Sequence, residues 1–202
     1  MIVYVETNFV LELALLQPEH QECETLLDLS KEHSGVVLAL PAFCIGETYE
    51  AWGRKLRQRS RLRDDLTREI NQLSRSTPYR DQAKSLRELA NRLLLESGEE
   101  ERRRLDRTLG RILSSAYIIP LKGDTIREAL QLQRTRSLEP QDAIVYASVL
   151  DHLTNRPIGP CCFVTKNSKD FLNPDIEEDL DGYDCKLLTS FENGLKYARG
   201  HS

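Results

Sequence analysis

The sequence predicts a three-layer α/β/α fold: a parallel central sheet of about five strands, with an inserted helical arm. Three observations predict it. Short apolar runs alternate with helix-patterned stretches, as crossover connections in a parallel sheet require. Carboxylates and amides follow those runs or open the helices between them. One long segment, roughly 54–115, carries helical periodicity throughout and no strand-like run.

Met1-Ile2-Val3-Tyr4-Val5 reads as a short buried strand, and it stops at Glu6-Thr7-Asn8. Phe9, Val10, Leu13 and Leu16 are then spaced for one helical face. Thr7 or Asn8 suits the cap of that helix, with Glu6 beside its positive end. Pro18 breaks the chain, Glu19 to Ser34 reads as a second helix, and Gly35 suits its C-terminal cap. Val36-Val37-Leu38-Ala39-Leu40, closed by Pro41, is the second strand. The next helix starts at about Phe43 and carries Glu47 on its first or second turn.

The arm follows. Leu62, Leu66, Ile70 and Leu73 form one leucine-rich seam, Leu86, Leu89 and Leu93 a second, and Leu105, Leu109 and Ile112 a third. Ser76-Thr77-Pro78 reads as a cap with a first-turn proline, and Gly98 followed by three glutamates as a fresh helix start. From Arg54 to Arg111 there are 15 Arg and 2 Lys against 10 Asp and Glu, a balance of +7; the chain total of −4 leaves −11 for the remainder. Most of these arginines are expected to form a solvated face.

Tyr117 to Leu121 is the third strand, and a helix follows from Lys122-Gly123-Asp124. After the loop Leu138–Gln141, a helix of small and apolar residues opens at Asp142. Cys161 to Thr165 is the fourth strand, left through Lys166-Asn167-Ser168-Lys169-Asp170. Cys185 to Thr189 is the fifth, and Phe191 to Arg199 closes the chain as a helix. A crossover helix runs antiparallel to its strands, so its start lies at the carboxyl edge of the sheet. Glu6, Glu47, Asp142, Asn167 and Asp170 are thereby expected on one rim.

Composition bounds the function. The chain has 202 residues, 40% hydrophobic and 30% charged, which suits one soluble globular domain with an insertion. The apolar runs are too short to span a bilayer, and the amino terminus lacks the basic flank and apolar core of a signal peptide, so a cytoplasmic, membrane-free protein is expected. Cys23, Cys44, Cys161, Cys162 and Cys185 show no C-x-x-C spacing, which argues against a zinc site or a disulfide framework. Adjacent Cys161 and Cys162 face opposite sides of a strand and read as small hydrophobes.

Crowded carboxylates repel, and each then tends to hold a proton. A hard divalent cation removes that penalty; oxygen donors without a His or Cys cluster suit Mg²⁺ or Mn²⁺. Such a centre fits phosphodiester hydrolysis, with the basic arm gripping a nucleic-acid backbone. A receiver-type phosphoacceptor reading fails, because the third strand ends in Pro120-Leu121-Lys122 with no acid.

The order of these motifs resembles the PIN domain, the nuclease fold of VapC-type toxins and several RNA-processing enzymes. Val3-Tyr4-Val5-Glu6-Thr7-Asn8 resembles its first motif, Glu47 the second, Asp142-Ala143 the third, and Phe163 to Phe171 the fourth. The resemblance covers most of the chain outside the arm. It implies one PIN-like domain over 1–202 with a helical insertion at about 54–115. It also implies an Mg²⁺- or Mn²⁺-dependent endoribonuclease, with RNA as partner, often as a homodimer, and in some members an antitoxin. Glu6, Glu47 and Asp142 would be both catalytic and metal-binding, Asp170 catalytic, and Asn167 a further metal ligand. Two positions depart from the family pattern: Glu6 stands where Asp is usual, and Asn167 where the fourth acid is usual. The alternative these departures allow is a weakened PIN-like module that binds RNA or a protein partner.

Overall fold

A computed structural model describes residues 1–31, 35–156 and 159–201. In chain order the elements are β1 (Ile2–Val5), α1 (Thr7–Leu15), α2 (His20–Leu29), β2 (Val37–Pro41) and α3 (Phe43–Leu73). A 3₁₀ turn (Thr77–Tyr79), α4 (Arg80–Asn91), a π-helical turn (Arg92–Glu96) and α5 (Ser97–Ser115) follow. The chain continues through β3 (Tyr117–Ile119), α6 (Gly123–Thr135), α7 (Pro140–Asn155), β4 (Cys161–Val164), α8 (Ser168–Phe171), α9 (Pro174–Asp181), β5 (Cys185–Leu188) and α10 (Phe191–Arg199).

The five strands form one all-parallel sheet in the order β3-β2-β1-β4-β5. This is the expected three-layer α/β/α architecture. β1 is central, with Val3 in register with Leu38 on one side and Cys162 on the other. Both central strands are covered on both faces: Val3, Tyr4, Val5 and all of Cys161–Val164 are fully buried, which is why they read as continuous apolar runs rather than alternating ones. From β1 the chain builds outward to β2 and β3, then returns to β4 and β5 on the other side. The strand order therefore reverses between β1 and β4, and in such sheets the crevice lies beyond the carboxyl ends of that pair.

The helices differ from expectation in several places. α1 ends at Leu15, and Leu16 adopts a left-handed conformation (φ 51°) with its side chain 54% exposed, so Leu16 is not part of the buried face. Pro18 cannot continue the helix, and the left-handed residue turns the chain away. α2 ends at Leu29; the expected extension towards Ser34 falls partly on residues 32–34, outside the described residues. Gly35 sits at φ +78°, a conformation that costs glycine little.

In the arm, α3 runs unbroken from the sheet edge for 31 residues, so no element boundary marks Arg54. Ser76 makes no side-chain cap, and a π-helical turn leads straight into α5 where Gly98 was expected to punctuate. The third seam is buried as expected, through Leu105, Leu109 and Ile112, and α5 packs on α1. Arg104 donates to the Ala14 carbonyl at 3.1 Å, and Arg111 pairs with Glu24 at 2.8 Å, fastening α5 to the body. The second seam is not covered: Leu86, Leu89 and Leu93 are 46%, 51% and 59% exposed. In α4 it is the neighbouring Ala83 that is buried.

Candidate functional site at the carboxyl edge of the sheet

Glu6, Glu47, Asp142 and Asn167 line one cavity of about 200 Å³. Four separate segments deliver them. Glu6 leaves β1, Asn167 follows the end of β4, Glu47 lies in the second turn of α3, and Asp142 is in the first turn of α7. The reversal of strand order brings the first two together, and the antiparallel run of the crossover helices brings the others to the same edge. Asp170, in α8, stays off the cavity wall, although its charge reaches Asp142. Glu50, three residues after Glu47 on α3, is exposed and pairs with Arg54 and Arg57 at 3.9 Å.

Glu6 is itself the N-cap of α1, a role the sequence suggested for Thr7 or Asn8. Its carboxylate accepts the Asn8 backbone N–H at 2.8 Å, the Asn8 side-chain amide at 3.0 Å and the Lys166 backbone N–H at 3.3 Å. Thr7 donates its hydroxyl to Glu47, tying the first and second acids. The Asn167 amide donates to both oxygens of Asp142, each at 3.1 Å. A neutral donor thus occupies the carboxylate face of the third acid.

Burial sets the electrostatics. Glu6 is 6% exposed, and desolvation pushes its carboxyl up from 4.5 to about 7; the N–H donors oppose this, and the charge of Glu47 adds to it. Burial also raises Asp142 from 3.8 to about 6, against the Asn167 hydrogen bonds and with the charges of Asp170 and Glu47. Two carboxyls therefore change charge close to neutrality, a pattern that marks sites where protons or cations are exchanged.

The donor set suits a hard cation in kind: it is all oxygen, with carboxylates on three sides. Its spacing is looser. Among the described residues, no group of three or more His, Cys, Asp or Glu is drawn close enough to hold one ion. Glu6 is already engaged by three donors and Asp142 by Asn167.

Two further features escaped the sequence reading. Arg54 lines the same cavity. It lies seven residues after Glu47, two helical turns along one face, and that spacing was the available signal. Behind the site, Glu12 is 2% exposed and accepts Lys166 Nζ at 2.9 Å and the Glu19 backbone N–H at 2.9 Å. Glu19 in turn accepts the Phe191 N–H at 2.6 Å. This network anchors the segment leaving β4, which supplies the Lys166 N–H to Glu6 and Asn167 to Asp142.

A larger cavity, about 800 Å³, lies between α3 and α5, with Trp52, Leu56 and Leu94 among its lining. Glu6, Glu47 and Asp142 do not line it. Tyr49 and Trp52 pack against Arg102, whose guanidinium carbon lies 5.0 and 5.1 Å from their rings, which matches arm packing.

The PIN domain family model matches residues 3–171. No curated protein matches the chain. Among solved structures, VapBC2 from Rickettsia felis, bound to a DNA fragment from their promoter, aligns over 93% of this chain and 97% of that one, at 14% identity and a TM-score of 0.46. No helix among the described residues is long and apolar enough to cross a membrane.

Proposed function

The chain belongs to the PIN domain family, and from that premise we propose that it is an Mg²⁺- or Mn²⁺-dependent endoribonuclease. One observation carries the reading: Glu6, Glu47 and Asp142, far apart in sequence, face a single cavity at the strand-order reversal. PIN domains are generally nucleases, and three acids in one crevice suit that chemistry. Glu47 and Asp142 would hold the ion, with Glu6 and Asn167 completing its surroundings. A bound divalent cation supplies Lewis acidity toward a phosphodiester oxygen.

The chain's own groups do the rest. Thr7 and Asn8 orient Glu47 and Glu6. Asp142, raised to about 6 by burial, is ionised above that pH and is then available to a cation. Arg54, on the rim, meets the phosphate of an entering strand, and the arginines of the arm attract its backbone. The resemblance of its motifs to those of VapC-type members is the ground for a toxin role in the cytoplasm, held in check by an antitoxin, with a homodimer as the working unit.

The test is cleavage of single-stranded and structured RNAs with each metal. Asp142→Asn should abolish cleavage while leaving the circular dichroism spectrum and melting temperature near those of the parent. Inertness of the parent chain on all RNAs with both metals refutes the nuclease reading. Growth arrest on expression, relieved by the same substitution, is the test of the toxin role.

The second reading is a PIN-like binding module with weakened catalysis. The Asn167 amide seated on Asp142, and the three donors already on Glu6, favour it. Mn²⁺ titration separates the two: an ion bound only by the folded chain raises the melting temperature, whereas a module without an ion gives no shift.

A further inference from the structure

At the opposite edge of the sheet, Cys161 opens β4 and Cys185 opens β5, and they are register partners in the parallel ladder. Paired residues on neighbouring strands lie about 4.8 Å apart and point to the same face. That separation falls within the Cα range of about 4.4–6.8 Å that disulfides span. The two thiols act on each other, each shifting the other's acidity. Cys162, the next residue, points to the other face and is in register with Lys186.

The surroundings of Cys161 are polar for a buried thiol. Arg156 Nη2 lies 2.9 Å from its sulfur, and the thiol donates to the Asp184 carbonyl at 3.4 Å. The Cys185 thiol, together with the Arg156 charge, draws the Cys161 thiol below its usual range, while the same contact pushes Cys185 up. Arg156 and Asp184 also line a cavity of about 250 Å³ with Leu153, Gly182 and Tyr183. One water takes up about 30 Å³ of liquid, so the space admits a small peroxide beside groups that touch the sulfur.

We propose that Cys161 and Cys185 are a peroxide-responsive thiol pair that closes to a reversible disulfide between β4 and β5. The Cys161 thiolate attacks one oxygen of a hydroperoxide. The O–O bond breaks, the departing oxygen takes up a proton and leaves as an alcohol or water, and Cys161 becomes a sulfenic acid. The sulfur of Cys185 then attacks that of Cys161, its proton and the hydroxyl leave as water, and the S–S bond forms. Two electrons have passed from the two thiols to the peroxide. The closed segment contains Asn167 and Asp170, so oxidation staples the chain that carries the fourth motif. The inference stands apart from the nuclease reading and requires no metal.

The test uses the full chain, treated with hydrogen peroxide, denatured, alkylated and examined by mass spectrometry. All five thiols are free and buried in the starting protein. The expected result is loss of two alkylation sites, a linked peptide pair containing Cys161 and Cys185, and recovery of both sites with dithiothreitol. Cys161 and Cys162 share one tryptic peptide, so Cys162→Ser should keep the link, whereas Cys161→Ser and Cys185→Ser should each lose it. Fragmentation of the parent's linked peptide assigns the sulfur should a variant fold poorly. Five alkylated thiols after treatment, or a link through Cys162, overturns the proposal.

Discussion

Replacing Glu6 with Gln gives the most direct measure of what burial does at this crevice. The carboxyl stands at about 7 in the fold against 4.5 in water. At about 1.36 kcal/mol for each tenfold change in acidity, that difference amounts to about 3 kcal/mol. The sign follows from proton binding. Between 4.5 and about 7 the folded chain keeps a proton that the unfolded chain has released, so stability falls as pH rises through that window. Glu6 is thus least costly below 4.5, and its full burden is reached above about 7. Gln carries no charge at any pH and escapes this loss, although it forfeits part of the hydrogen bonding that the carboxylate accepts from Asn8 and Lys166. That forfeit is nearly independent of pH. In chelator-containing buffer, urea unfolding followed by circular dichroism from pH 4 to 8.5 should show Glu6→Gln gaining about 3 kcal/mol on the parent across the range. Parallel curves would mean that Glu6 does not hold its proton in the fold, and the electrostatic account of the site would fail.

The other expectations are independent of that one. Lys166→Met strips the buried Glu12 of its cation and should cost roughly 2–3 kcal/mol in chemical unfolding; an unchanged unfolding midpoint would show that the Glu19 backbone N–H suffices. Gly194→Ala puts a methyl 2.8 Å from a Val164 side-chain carbon and should destabilise by roughly 1–3 kcal/mol, read as a lower melting temperature with RNA cleavage unchanged in the folded fraction. RNA affinity, measured by fluorescence anisotropy, should fall steeply with salt if the arm's arginines release counterions; a flat dependence would remove the arm from RNA binding. Arg54→Gln should weaken RNA binding several-fold without shifting the melting temperature, since its nearest ion-pair partner, Glu50, stands 3.9 Å away.

Much of the framework could be read from the chain because burial on both faces leaves a plain trace. Val3-Tyr4-Val5 and Cys161 to Val164 are apolar without interruption since nothing but helix packs against them. The site's membership was legible for a similar reason: strand ends and helix starts fall at one edge whatever the loops do, and that places Glu6, Glu47, Asp142 and Asn167 together. Finer features were not legible. Spacing shows that Leu86, Leu89 and Leu93 share a face but not whether a neighbour covers it. The seat of the Asn167 amide on Asp142 depends on side-chain rotation, which spacing does not encode. α9 passed unread, although Asn173 before Pro174 is a sound helix start and Ile176 and Leu180, both buried, stand one turn apart.

The unbroken run of α3 has a mechanical consequence. At 1.5 Å of rise per residue, its 31 residues make a rod of about 46 Å. Glu47 is mounted near the foot of that rod, and the far end lies against α4, with Ile70 buried there. Because hydrogen bonding continues without a hinge between them, tip and foot move as one lever. Whatever takes hold of the tip also has a hand on the acid.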